Sequence, residues 1–121
     1  MKAVVDEGVP RRLALLLREH DRDVSNFPRD WRGLTNGKLL QRMKDSGFEC
    51  LLTCDRNIHH QQTISAKQIG LIVLPAQRFE DIEPYAPAIL SALDSIEAGM
   101  VIEIPKNATS SSAAATNANK F

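Results

Sequence analysis

Apolar positions along this chain come in short continuous runs, and the runs are separated by stretches whose apolar residues repeat at helical spacing. Residues 2–5 form the first run and read as a buried strand. Gly8, Val9 and Pro10 then turn the chain, with Pro10 suited to the first turn of a helix. That helix is predicted to reach about His20, burying Leu13, Leu16 and Leu17 while Arg11, Arg12, Arg18 and Glu19 stay wet. Residues 23–27 read as a short second strand ended by Pro28, and 29–34 as a loop holding Trp31.

Thr35 or Asn36 can cap the next helix, whose narrow apolar face is Leu39, Leu40 and Met43 and whose end is Gly47. Residues 48–53 read as a third strand, followed by a polar helical turn with Asn57, His59, His60, Gln61 and Gln62. The nearly all-aliphatic run 69–74 reads as a central fourth strand closed by Pro75. A helix over 82–98 carries Ile89, Leu90, Leu93 and Ile96 at helical spacing, with Pro84 and Pro87 near its start and Gly99 past its end. The last strand is placed at 100–104. Strands alternating with helices predict an α/β fold with a parallel sheet covered on both faces.

Composition changes this picture in two places. From residue 106 to 121 the chain turns to Ser, Ala, Thr and Asn without apolar periodicity, so the expected domain is 1–105 with a disordered tail over 106–121. The 15 Lys and Arg balance the 15 Asp and Glu, which removes any whole-protein attraction to nucleic acid and leaves only local contacts. Arg11, Arg12, Arg18, Arg22, Arg29 and Arg32 crowd the first third of the chain, interleaved with acids. They read as a solvated surface, with a functional basic rim as the alternative. Cys50 and Cys54 are too close along one strand for an easy disulfide and read as reduced thiols. No signal-peptide pattern and no membrane-length apolar run occurs, so the expectation is a soluble cytoplasmic protein without membrane contact.

The candidate chemistry lies just past two strands. Asp6 follows the first and Asp55 the third, where an α/β sheet builds its site, so the two carboxylates are candidates to share Mg2+ or Mn2+. The alternative is that Asp6 caps a turn and Asp55 a helix starting near Arg56. Glu7, one residue on from Asp6, is a candidate third acid, but points to the opposite face if the strand continues through it. Thr53 and Asn57 are candidates to position a cation or a phosphate, and Arg56 to bind an anion or simply to pair with a nearby acid. Asn36 stands at the mouth of its helix, in an Asn-Gly pair that favours a defined loop. A two-His metal site at His59 and His60 is disfavoured, because adjacent helical residues point in different directions.

Three segments together carry a family resemblance: Val4-Val5-Asp6-Glu7-Gly8-Val9-Pro10; Trp31-x-Gly33-Leu34-x-Asn36-Gly37-x-Leu39-Leu40; and Leu52-Thr53-Cys54-Asp55-Arg56-Asn57 with Gln61-Gln62. In this order, across residues 1–105, the chain resembles the small bacterial PIN-like domains, many of them regarded as nucleases of toxin–antitoxin systems. The resemblance implies a three-layer α/β/α PIN-like fold with a central, mainly parallel sheet. It also implies a Mg2+- or Mn2+-dependent endoribonuclease acting on single-stranded RNA, as VapC-type toxins do, with an antitoxin protein and a homodimer among the implied partners. By the same resemblance Asp6 and Asp55 are the metal-binding acids, while Asn36 and Asn57 stand where further acids are common. Lys38 or Arg56, with Thr53, would contact substrate phosphate. A catalytically degenerate PIN-like module that binds protein or nucleic acid is the competing expectation.

Overall fold

The computed structural model describes residues 1–56 and 68–108. Its strands are β1 (Ala3–Val5), β2 (Val24–Ser25), β3 (Cys50–Thr53), β4 (Gly70–Val73) and β5 (Val101–Glu103). The helices are α1 (Arg11–Glu19), α2 (Asn36–Asp45), α3 (Phe79–Ile82) and α4 (Ala86–Ser95), with 3-10 turns at Arg29–Trp31 and Glu83–Tyr85. The strands form one five-stranded sheet in the order β2-β1-β3-β4-β5, and every neighbouring pair is parallel.

Side-chain alternation divides the core into two layers of contact. Ala3, Val5, Cys50, Leu52, Ile72 and Ile102 pack on one face with Leu13 and Leu17 of α1 and with Ile82, Ile89 and Ala92 of α3 and α4. Val4, Leu51, Leu71 and Val73 face the other way, onto Leu39, Leu40 and Met43 of α2 and onto Trp31. Consecutive strand residues point to opposite faces, so a strand buried on both is apolar along its length, as β1 and β4 are; β3 departs from this only at its last residue, the buried Thr53. The result is a helix–sheet–helix sandwich.

Trp31 is a wedge between layers, with the rings of Phe27 and Phe48 meeting it edge-on at centroid distances of 6.1 and 5.6 Å. Gly47 ends α2 with φ of +82°, a conformation that side-chain-bearing residues resist. Gly70 opens β4 where a Cβ would stand 2.9 Å from Ile96 Cγ1 and 3.2 Å from the Glu97 carbonyl oxygen, so the chain leaving α4 can cross close to the sheet.

The parallel sheet is as expected, and the aliphatic β4 lies inside it, paired on both sides with β3 and β5. Two expectations are corrected. The helix predicted over 82–98 is broken: Pro84 and Pro87 lie in a 3-10 turn and in the first turn of α4, and Ile96, although buried, is already extended. The ordered body extends past residue 105, since Tyr85 Oη donates to the Lys106 carbonyl at 2.6 Å and Ala108 is buried. Residues 109–121 lie outside the described residues.

Candidate functional site

The chain leaves β1 for β2 on one side and then crosses back, through α2, to β3 on the other side of β1. A parallel sheet wound this way puts α1 and α2 on opposite faces and opens a crevice outside the C-terminal ends of β1 and β3. Register then decides what meets in it. Val5 pairs with Leu52, and the Asp6 amide continues the ladder by donating to the Leu52 carbonyl at 2.8 Å, which brings Asp6 level with Thr53.

Thr53 is the joint of the site. It is buried, at 1% exposure, and its hydroxyl donates to Asp6 Oδ2 at 2.8 Å while accepting the Asp55 amide at 3.0 Å. The Glu7 amide donates to Asp6 Oδ1 at 2.8 Å. Asp6 is therefore held at both oxygens, and Asp55 is held through its backbone. A cleft of about 380 Å³ is lined by Asp6, Thr53, Cys54, Asp55 and Arg56, with Gly8 and Gln77 completing it. The two aspartates predicted from the sequence do share one cleft.

The other cleft residues limit its chemistry. Cys54 Sγ donates to the Ala76 carbonyl at 3.0 Å, and burial, aided by the negative charge of Asp6, pushes its thiol up to about 11. It is a thiol at neutral pH, so nucleophilic sulfur chemistry does not fit here. Cys50, deeper in β3, is pushed by burial to about 12. Arg56 Nη1 stands 3.8 Å from Glu103 Oε1 with both side chains about half exposed, a pairing weak enough to yield to a stronger anion.

The remaining candidates separate. Asn36 is the first residue of α2 and half-buried, and Lys38 is exposed in the same turn, but neither lines the Asp6–Asp55 cleft. Thr35 holds the N-cap position with extended backbone and makes no side-chain capping bond. Asn57, His59, His60, Gln61 and Gln62 lie outside the described residues. β1 ends at Val5 and Glu7 lies in the turn that follows, where it lines a second cleft, apart from that of Asp6, with Arg11, Arg29 and Arg32. Sequence reasoning did not collect those three arginines into one place. The available signal was their position, since each follows shortly after β1 or β2, where the chain emerges at the same edge of the sheet.

Among the described residues no group of three or more His, Cys, Asp or Glu side chains is arranged to hold a metal ion, and no helix is long and apolar enough to cross a membrane. Compared with family models, with curated proteins and with solved structures, the chain finds no match.

Proposed function

We propose that the protein is a PIN-like, divalent-metal-dependent endoribonuclease acting on single-stranded RNA in the cytoplasm, and that an antitoxin partner restrains it. The observation that carries this reading is the convergence of Asp6 and Asp55 on one switch-point cleft, joined through the Thr53 hydroxyl. Mg2+ or Mn2+ suits these donors: each Asp6 oxygen keeps acceptor capacity beyond its one internal hydrogen bond, and hydrated Mg2+ commonly uses one or two carboxylates plus substrate oxygens. When bound, such an ion supplies positive charge against a phosphodiester and acidifies water.

The chain's own residues supply orientation. Thr53 and the Glu7 amide orient the Asp6 carboxylate, which therefore needs little reordering on binding, and Thr53 ties the Asp55 backbone beside it. Arg56 offers a guanidinium to a phosphate entering the same cleft. A second reading, a binding module without catalysis, draws on the cleft's acid content, which is two carboxylates among the described residues. One assay separates the two. Cleavage of single-stranded RNA with Mn2+, absent in EDTA and lost in Asp6→Asn, supports the nuclease; RNA binding without cleavage supports the module.

A further inference from the structure

The segment leaving β1 serves two clefts at once. Asp6 and Gly8 line the acidic cleft already described, whereas Glu7 and its alternate neighbours Val5 and Val9 line another, of about 140 Å³, on the β2 side. Its charged wall is Arg11 from the start of α1 and Arg29 and Arg32 from the β2–α2 connection. Three guanidinium groups against one carboxylate leave this small space with an excess of positive charge.

None of the three arginine side chains makes a hydrogen bond or ion pair with the described residues. Other arginines are engaged: Arg22 bonds Asp94, Arg78 bonds Glu80, Arg18 bonds the Val24 carbonyl and Arg12 stacks over Phe79. Three like charges with a single carboxylate among them repel one another, and an oxyanion relieves that repulsion while accepting bidentate bonds. α1 adds to the same field, since it begins at Arg11 with neither a side-chain cap nor an acid in its first turn.

We infer that Arg11, Arg29 and Arg32 form a phosphate-binding pocket that holds a backbone phosphate of single-stranded RNA beside the acidic cleft. The inference deepens the nuclease reading and rests on it for the identity of the polymer; the pocket's affinity for phosphate stands on its own geometry. With no net charge on the chain, this local excess is the kind of feature that RNA contact requires. Glu7 is the one opposing charge, so it weakens phosphate binding.

The test is anisotropy of a labelled single-stranded RNA with the full chain in EDTA, so that no metal contributes. A parallel titration with inorganic phosphate is read through the fluorescence of Trp31, which stands between Arg29 and Arg32 and is the single tryptophan. Arg29→Gln with Arg32→Gln should weaken RNA binding by roughly tenfold or more and flatten its salt dependence by about 0.7 per lost phosphate contact. Glu7→Gln should tighten both ligands. Arg42→Gln with Lys44→Gln, in the last turn of α2, removes the same charge elsewhere and should leave binding within about twofold. The three residues are exposed and their side chains make no hydrogen bond or ion pair among the described residues, so an unchanged unfolding midpoint should accompany the loss.

Equal weakening by the control pair overturns the inference, as does weaker binding in Glu7→Gln or phosphate binding without RNA binding. Its failure is distinct from that of the nuclease reading. Wild-type cleavage in Mn2+ with unaltered RNA binding in the arginine variant sinks the pocket alone; arginine-dependent binding in EDTA without any cleavage in Mn2+ sinks the nuclease alone.

Discussion

Two clefts flank the five residues that leave β1, and they are built on opposite principles. In the acidic one, Thr53 and the Glu7 amide bond both oxygens of Asp6, so the charged group is oriented before any ligand arrives. In the basic one, three arginines have no hydrogen-bond or ion-pair partner among the described residues. A preorganised carboxylate such as that of Asp6 suits a small cation, whose coordination demands fixed oxygen positions; long, exposed guanidinium groups suit a polymer phosphate, whose approach varies. The contrast teaches that a chain with zero net charge can still carry sharply opposed local fields, separated by the thickness of one turn.

The contrast breaks most directly at Thr53. Thr53→Val keeps the shape but deprives Asp6 Oδ2 and the Asp55 amide of their shared partner, and should lower stability by about 1–3 kcal/mol in urea unfolding. Thr53→Ser should recover most of it. A Thr53→Val variant as stable as the parent would mean that the hydroxyl organises nothing.

Mn2+ sharpens the comparison next. Binding to the folded chain at ten times Kd should stabilise it by about 1.4 kcal/mol, and Asp55→Asn should remove most of that gain. Thermal unfolding with and without Mn2+ measures it, and a Mn2+ gain that survives in Asp55→Asn would move the cation out of this cleft. Asn36→Asp follows. Because Asn36 does not line the cleft, Mn2+ affinity should stay within about twofold, while the new charge at the start of α2 adds about 0.3–1 kcal/mol. A large increase in affinity would instead bring Asn36 into the metal site.

The smallest effect is alkaline. The Cys50 and Cys54 thiols are pushed up to about 12 and about 11 from 9.0, so between pH 9 and 11 the unfolded chain carries fewer protons than the folded one. Stability therefore falls as pH rises through that window. Urea midpoints at pH 8.5 and 10.5 should differ by less in Cys54→Ser than in the parent; identical differences would show that the Cys54 thiol is not held neutral.

How much was legible follows from where each signal lives. The runs 2–5, 48–53 and 69–74 announced their strands because burial on both faces makes their central positions apolar, with polar residues only toward the ends, at Lys2, Glu49 and Thr53. The helix across Pro84 and Pro87 was overextended because its apolar residues keep helical spacing past the point where the backbone turns extended at Ile96. From the sequence Thr53 is a candidate to position a cation or a phosphate; that its hydroxyl also joins two aspartates was not legible, because nothing in Leu52-Thr53-Cys54 reveals which residue will be level with Asp6 across the ladder.

The amino-acid sequence by itself determined the alternation of strand and helix, the parallel sheet, the two-sided burial and the positions of Asp6 and Asp55 just past their strands. These are local properties, set by side-chain periodicity and by turn residues such as Pro10, Pro28 and Pro75. Tertiary structure alone decided that β1 lies between β2 and β3, because strand order depends on which long-range pairing buries the most apolar surface. That order brought Asp6 beside Thr53, left Asn36 outside their cleft, and gathered Arg11, Arg29 and Arg32 around Glu7. Charges far apart along the chain acquire a common field only when the backbone has been folded between them.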